Sequence, residues 1–489
     1  MYVKRATSAP AVAIQVWVRV GSADETPEEA GLAHVHEHML FKGTERRGVG
    51  QVAREIEGAG GEINAYTSFD QTVYHCVLSN RFFDVGLDVL SDVVQNPLFD
   101  EVELERELEV IVEEIGRLKD SAGRLAVQEL FRTAYKKHPY REPVIGTIDS
   151  VRSMTRAKVL RFFRRWYTGK NIVVVVTGDI DEFQAGEQIA ATFGTMEMGE
   201  QRAERLVEPS QDGLRYSFLK SHFRESHLNM AFHIPECSHP DTAFLDLLAL
   251  ILGQGDSSRL ARTVKRRDRL VNDLLSYAYT PRDPGLLAIS ASLPESSAID
   301  GIVKAVLEQV NQIRLDLCTS DELEKARHII ESQQIYGRET VQGIARRLGY
   351  YAVVAGNHEE ETRYYDRIRT ASREDILRVA QKYLTPDNLS TVHLASETDG
   401  GRVSHDRLED VVNTAMSVPK GDMGTPIPES SDKVVRTPSV RTGSRTAVRE
   451  PVSEYSIPGG PRLIVLRDTT LPIVAIRALT QGGLPMEAQ

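Results

Sequence analysis

Cysteine is scarce. Cys76, Cys237 and Cys318 are odd in number and far apart, which excludes a disulfide framework and a cysteine-based metal site. No apolar run approaches the ~20 residues of a membrane span. Cations are outnumbered, 59 Lys and Arg against 70 Asp and Glu, for a formal charge of −11. That balance argues against nucleic acid, which requires a basic face, and is compatible with cationic peptides. The opening Met1-Tyr2-Val3-Lys4-Arg5 lacks the apolar core of a signal peptide. The start is also abrupt, as though inside a strand, so a lost leader is expected and the compartment reads as cytoplasmic or periplasmic. Hydrophobic residues at 41% and charged residues at 26% are ordinary for a soluble globular chain. A length of 489 residues exceeds one core and implies two or more domains.

Against these absences stands one dense string, His34-Val35-His36-Glu37-His38, which fits H-x-x-E-H, the inverted zinc-protease signature. On a helix, His34 and His38 share one face and can grip one Zn²⁺. Glu37 lies beside the same metal, where a carboxylate can take a proton from water that the metal has made acidic. His36 points away and reads as surface or packing. A zinc enzyme needs a third protein ligand. The segment Asp100 to Ile115 carries apolar Leu104, Leu108, Ile111 and Ile115 at helical spacing, so its carboxylates sort by face. Glu107 and Glu114 lie two turns apart on one face, and Glu113 is rotated about a quarter turn away.

The run from Gly31 through the histidines to Phe41-Lys42-Gly43-Thr44 resembles the pitrilysin/insulinase family of zinc metallopeptidases, closest in style to the mitochondrial processing peptidase and its bacterial relatives. The resemblance continues at Gly60-Gly61-Glu62-Ile63-Asn64-Ala65-Tyr66-Thr67-Ser68, Gln71 to Tyr74, Glu107 to Ile115, His138-Pro139-Tyr140 with Gly146-Thr147, and Val174 to Asp179. It implies His34, His38 and Glu114 as the ligands of one Zn²⁺ per chain. Glu37 is then the catalytic base and Glu107 a second, supporting catalytic acid. Asn64, Ala65 and Tyr66 form the edge strand that takes an extended peptide substrate.

The implied fold is α+β: two tandem homologous domains, each a mostly antiparallel sheet with helices packed on one face. Residues 1–208 form the catalytic domain and 209–417 a homologue without the zinc motif. In that homologue a strand at Leu228 to Ile234 leads into an apolar helix, Thr242 to Leu252, followed by Gly253-Gln254-Gly255-Asp256-Ser257-Ser258-Arg259-Leu260. The glycines here read as a tight loop rather than a phosphate site. Residues 418–452, rich in Pro, Ser, Thr and charge, read as a linker. Pro472-Ile473-Val474-Ala475-Ile476 echoes Pro10-Ala11-Val12-Ala13-Ile14, so 453–489 reads as the start of a third copy and the chain as a piece of a four-domain protein.

In active relatives another domain supplies an Arg and a Tyr that hold the substrate carbonyl. The corresponding positions here are Lys265 and Asn272, which lack the guanidinium fork and the phenol. The leading expectation is thus a zinc metalloendopeptidase, with a missing C-terminal half or a second copy closing its chamber. This piece alone is expected to have little activity. The alternative is a non-catalytic structural or assembly subunit.

Overall fold

Two five-stranded sheets organise the chain in the computed structural model, which describes residues 1–199, 205–294, 298–397, 402–417, 452–457, 460–468 and 472–479. The first sheet contains β1 (Tyr2–Arg5), β2 (Ala11–Val18), β3 (Glu62–Thr67), β4 (Thr72–Ser79) and β5 (Ile172–Gly178) in the order β1-β5-β2-β4-β3. The segment from Ile63 to Leu78 is a hairpin, broken at Ser68 to Gln71. Helices α1 (Leu32–Met39), α2 (Gln51–Gly58), α3 (Phe83–Gln95), α4 (Glu101–Lys119), α5 (Ala122–Ala134), α6 (Ile148–Arg152), α7 (Arg156–Trp166) and α8 (Glu182–Phe193) connect and flank these strands.

The second sheet contains β6 (Arg215–Lys220), β7 (Ser226–Ile234), β8 (Asp273–Tyr279), β9 (Gly285–Leu293) and β10 (Leu389–Ala395), ordered β6-β10-β7-β9-β8. Its helices are α9 (Thr242–Gly253), α10 (Ile299–Leu315), α11 (Ser320–Tyr336), α12 (Val341–Val353), α13 (Glu360–Thr370), α14 (Arg373–Tyr383) and α15 (His405–Ser417). Numbered from its own first strand, the second sheet repeats the strand order of the first. In each sheet only the pair of first and last strands is parallel. The internal repeat read from the sequence is a repeat of topology, with α9 in the place of α1.

The two domains exchange helices. Strand β2 is apolar on both faces, and apart from Ala11 each of its residues is buried. A strand that reads this way must be covered on both sides. One side meets the domain's own helices, where Ile14, Val16, Leu32, Val35, Met39 and Ile111 join one core. The other side is covered by α12 of the second domain, through Ala13, Trp17, Val73, Val175, Val341 and Ala345. Gly349 makes this approach possible, since a Cβ there would lie 2.2 Å from Trp17 Cε2. Reciprocally, α5 of the first domain lies on the second sheet, with Leu130 and Ala134 against Ala231, Leu286, Ala288 and Val392. Helices on one face were expected; the opposite face is filled by the other domain.

Strands β11 (Ser453–Ser456) and β12 (Arg462–Val465) pair with each other and are exposed. Pro472 to Ile476 run in irregular backbone rather than as the strand their echo predicts. The expected linker, except Val452, lies outside the described residues. Among the described residues, no helix is long and apolar enough to cross a membrane.

Candidate metal centre and peptide cleft

Helix α1 begins at Gly31, whose φ of +94° needs glycine and whose missing Cβ leaves room for the Ile145 carbonyl. No side chain of its own first turn caps α1. Half-buried Glu25 does so from outside, accepting from Gly31 N at 2.7 Å and Ala33 N at 2.6 Å. Leu32, Val35 and Met39 then bury one side of the helix, which turns His34, Glu37 and His38 toward α4. Asp100 starts α4 by accepting from Val102 N and Glu103 N. Leu104, Leu108, Ile111 and Ile115 seat this helix in the core, so Glu107 and Glu114 face α1.

His34, His38 and Glu114 converge, each offering one ligand atom, with all such atoms within 4.8 Å of one another. Glu114 Oε2 lies 3.9 Å from His34 Nε2 and 3.8 Å from His38 Nε2. Ligands at ~2.0–2.2 Å around a tetrahedral zinc stand roughly 3.3–3.6 Å apart, so a small contraction would close the set. Two nitrogens and one oxygen, with the remaining side open, is the donor set of a catalytic zinc site. The residues present therefore fit a zinc ion.

The surroundings support this fit. His38 Nδ1 lies 3.0 Å from Glu107 Oε2, which fixes the ring and leaves Nε2 directed at Glu114. Lys42 Nζ contacts the other Glu107 oxygen at 2.6 Å. Burial pushes the Glu107 carboxyl up, but Lys42 and His38 outweigh it and hold it below its ordinary value. Burial, aided by the neighbouring His38, lowers His34 to about 4, so its imidazole is neutral and able to ligate. Glu37 is no member of the ligand cluster. Its Oε2 accepts from Thr67 Oγ1 at 2.6 Å. Burial raises its pKa, opposed by Thr67 and His38.

His36 is fully buried between α1 and α7, its ring nitrogens 2.7 Å from Leu32 O and 3.1 Å from Val159 O. Of the two readings open for it, packing is the one seen.

The strand β3 lies at the edge of the first sheet, as expected for Asn64, Ala65 and Tyr66. Ile63, Ala65 and Thr67 alternate onto the α1 face, and Asn64 and Tyr66 onto the α12 face. Beside the metal centre opens a cavity of about 540 Å³. Its wall is largely apolar, with Phe69, Leu118, Val127, Phe131 and Ile145, while His34, Thr67 and Glu114 stand at one side. Tyr140 also lines it and donates to Asp70 Oδ1 at 2.8 Å. His138 accepts from Tyr140 N and shapes the turn before it.

Lys265 sits on a short helical segment after α9, with its ammonium 2.7 Å from Asp273 Oδ1. Asn272 follows shortly, its backbone N–H bonded to Ser292 O. Neither residue lines the cavity. Sequence reasoning assigned no role to Lys42, Thr67 or the cavity wall. Helical spacing held a signal for Lys42, one turn after His38, and strand alternation held one for Thr67, two residues after Ala65.

Comparison with known proteins places the chain in a family. The profile described as "Insulinase (Peptidase family M16)" matches residues 1–148, and "Peptidase M16 inactive domain" matches 153–330. An "Uncharacterized zinc protease" of Rickettsia bellii is 28% identical over 388 residues, 78% of this chain and 92% of its own. A probable mitochondrial-processing peptidase subunit beta of Arabidopsis thaliana is 26% identical over 388 residues, 77% of this chain and 73% of its own. The crystal structure of a protease from Helicobacter pylori superposes with a TM-score of 0.77 at 25% identity, covering 80% of this chain and 95% of that one. With two consecutive profiles of one family matched in order and relatives that carry the zinc-protease name, the chain belongs to peptidase family M16, the insulinase family of zinc metallopeptidases.

Proposed function

We propose that this chain is a zinc-dependent endopeptidase acting on extended peptides or unfolded segments, with His34, His38 and Glu114 holding one zinc ion and Glu37 as general base. The observation that carries the reading is the convergence of two imidazoles and a carboxylate from α1 and α4, with a separately held carboxylate beside them. When bound, zinc supplies a Lewis acid that polarises a carbonyl and lowers the pKa of water. Glu37, held by Thr67, takes the proton of the attacking water and passes that proton to the leaving amine nitrogen. Glu107 acts through His38, fixing its ring. The peptide adds as a strand along Asn64-Ala65-Tyr66. A large apolar side chain of the peptide enters the cavity beside His34 and Glu114.

Lys265 is engaged with Asp273, and Asn272 carries no phenol, so the donors for the developing oxyanion come from a facing second copy or a further homologous domain. The alternative, a non-catalytic assembly subunit, leaves unexplained why the set of His34, Glu37, His38 and Glu114 is intact and supported by Glu107, Lys42 and Thr67. The test is metal analysis combined with a quenched-fluorescent peptide assay. Zinc near one equivalent is expected, with chelator-sensitive cleavage where a second copy or the facing half supplies those donors, and Glu37→Gln should keep the metal and lose that cleavage. Loss of zinc in that variant would show Glu37 to be a ligand, and undiminished cleavage would remove it from the mechanism.

A further inference from the structure

The edge strand β3 has two faces, and the metal centre occupies only one. The other face carries Asn64 and Tyr66, next to His75 on β4, which pairs with Asn64. Helix α12 reaches this face from the second domain. Its Gln342 amide lies 3.4 Å from His75 Nδ1, and the Arg346 guanidinium lies over the Tyr66 ring at 5.5 Å. Arg346 is exposed and pairs with no carboxylate among the described residues. The neighbouring Arg347, by contrast, is bonded to Glu361 at 2.6 Å. A guanidinium placed beside a strand edge, lying over Tyr66 of that strand and hydrogen-bonded to its side chain, keeps others of its five donors for whatever pairs there.

We propose that Arg346 reads a carboxylate on the bound peptide, selecting an Asp or Glu whose side chain points to the α12 face. This rests on the reading that peptides add to the β3 edge. In an added strand, residues opposite Ala65 and Thr67 face the metal centre and the apolar cavity. The residue opposite Tyr66 faces α12. The two specificities are thus separated by strand alternation: an apolar side chain on one face, an acidic one adjacent to it on the other. The second domain, which lacks the zinc motif, then contributes a contact to the substrate.

Binding tests this independently of cleavage. The zinc-loaded full chain carrying Glu37→Gln is titrated into fluorescein-labelled eight-residue peptides of Ala and Ser with one Phe, in which a single Asp or Asn is walked through each position. At one position next to the Phe, or displaced from it by another odd number of residues, Asp should bind about 3–5-fold tighter than Asn, the range of a partly exposed ion pair. Arg346→Gln should abolish that difference and leave the Asn peptides unchanged, and Arg346→Glu should favour Lys at the same position. An Asp preference that survives Arg346→Gln, or equal binding of Asp and Asn peptides throughout, overturns the assignment of Arg346 while leaving the peptide edge intact. Weaker binding of every peptide by Arg346→Gln, with no change in selectivity, makes the residue a packing cover for Tyr66 and also overturns it. If no peptide binds the wild-type or variant chains, the β3-edge reading itself fails and takes this inference with it.

Discussion

Replacing Asp246 with asparagine is expected to flatten the pH dependence of stability. Asp246 lies on α9, the counterpart of the helix that carries the metal motif, and its Oδ2 accepts from Tyr364 OH at 2.7 Å. Burial raises its pKa from 3.8 to about 7, with Tyr364 opposing the rise. In the unfolded chain the group ionises near its ordinary value of about 3.9. Between those two values the folded state holds a proton that the unfolded state has released. Stability is therefore fully present below pH ~4, falls as pH rises through 7, and is flat above. At about 1.36 kcal/mol per factor of ten, the full difference amounts to about 4 kcal/mol. The residue keeps partial surface exposure, so solvent screening brings the expected loss to about 2–4 kcal/mol. Asparagine cannot ionise, and any cost of its own amide is constant with pH. The assay is urea denaturation of both proteins from pH 5 to pH 8.5. The variant should gain on the wild type with rising pH and plateau above 7. A stability difference that is constant over this range would refute the reasoning.

Three further perturbations follow from the site and the domain contact. Thr67→Val should lower kcat about 10–100-fold with KM little changed, because Glu37 loses the hydroxyl that holds it, and Thr67→Ser should restore most of the rate; steady-state kinetics on one peptide decides this. Glu107→Ala should weaken zinc about 10–100-fold, measured by chelator competition, since it frees the His38 ring and leaves Lys42 unpaired. Gly349→Ala should destabilise the whole chain by about 1–3 kcal/mol in denaturant, as the added methyl meets the Trp17 indole; unchanged stability would mean that α12 shifts freely on the first sheet.

The parts of the fold carried by local pattern were legible. Apolar periodicity placed α4 and sorted its carboxylates. The same order of strand and helix in both halves foretold the shared sheet topology. Features built from distant residues were not legible. Nothing near Trp17 announces Gly349, and nothing near Leu130 announces Ala231, because packing complementarity between remote segments leaves no period in either. The hairpin between β3 and β4 was hidden because Ser68-Phe69-Asp70-Gln71 contains no glycine or proline to mark a turn. At the candidate metal centre, type and spacing singled out His34, Glu37 and His38, and the structure brings the two histidines together with Glu114. The cavity, by contrast, draws on β3, α4, α5 and the segment from Tyr140 to Ile145, and only folding assembles it.

The exchange of α5 and α12 means that the peptide link is not what keeps the two domains together. Each domain is clasped by an arm of the other. A proteolytic nick in the segment between β5 and β6 should therefore leave two fragments that stay together until denatured. Cutting the gene at the same place should give no free-standing first domain, because residues 1–208 without α12 would present Trp17, Val73, Val173 and Val175 to water as a contiguous greasy face. The same clasp ties the cleft to the far domain. Helix α5 shows Val127 and Phe131 to the cavity and Leu130 and Ala134 to the second sheet. The wall of the cavity proposed to receive a substrate side chain is thus bolted to the second domain, and any tilt of that domain would be felt as a change in the width of the cleft.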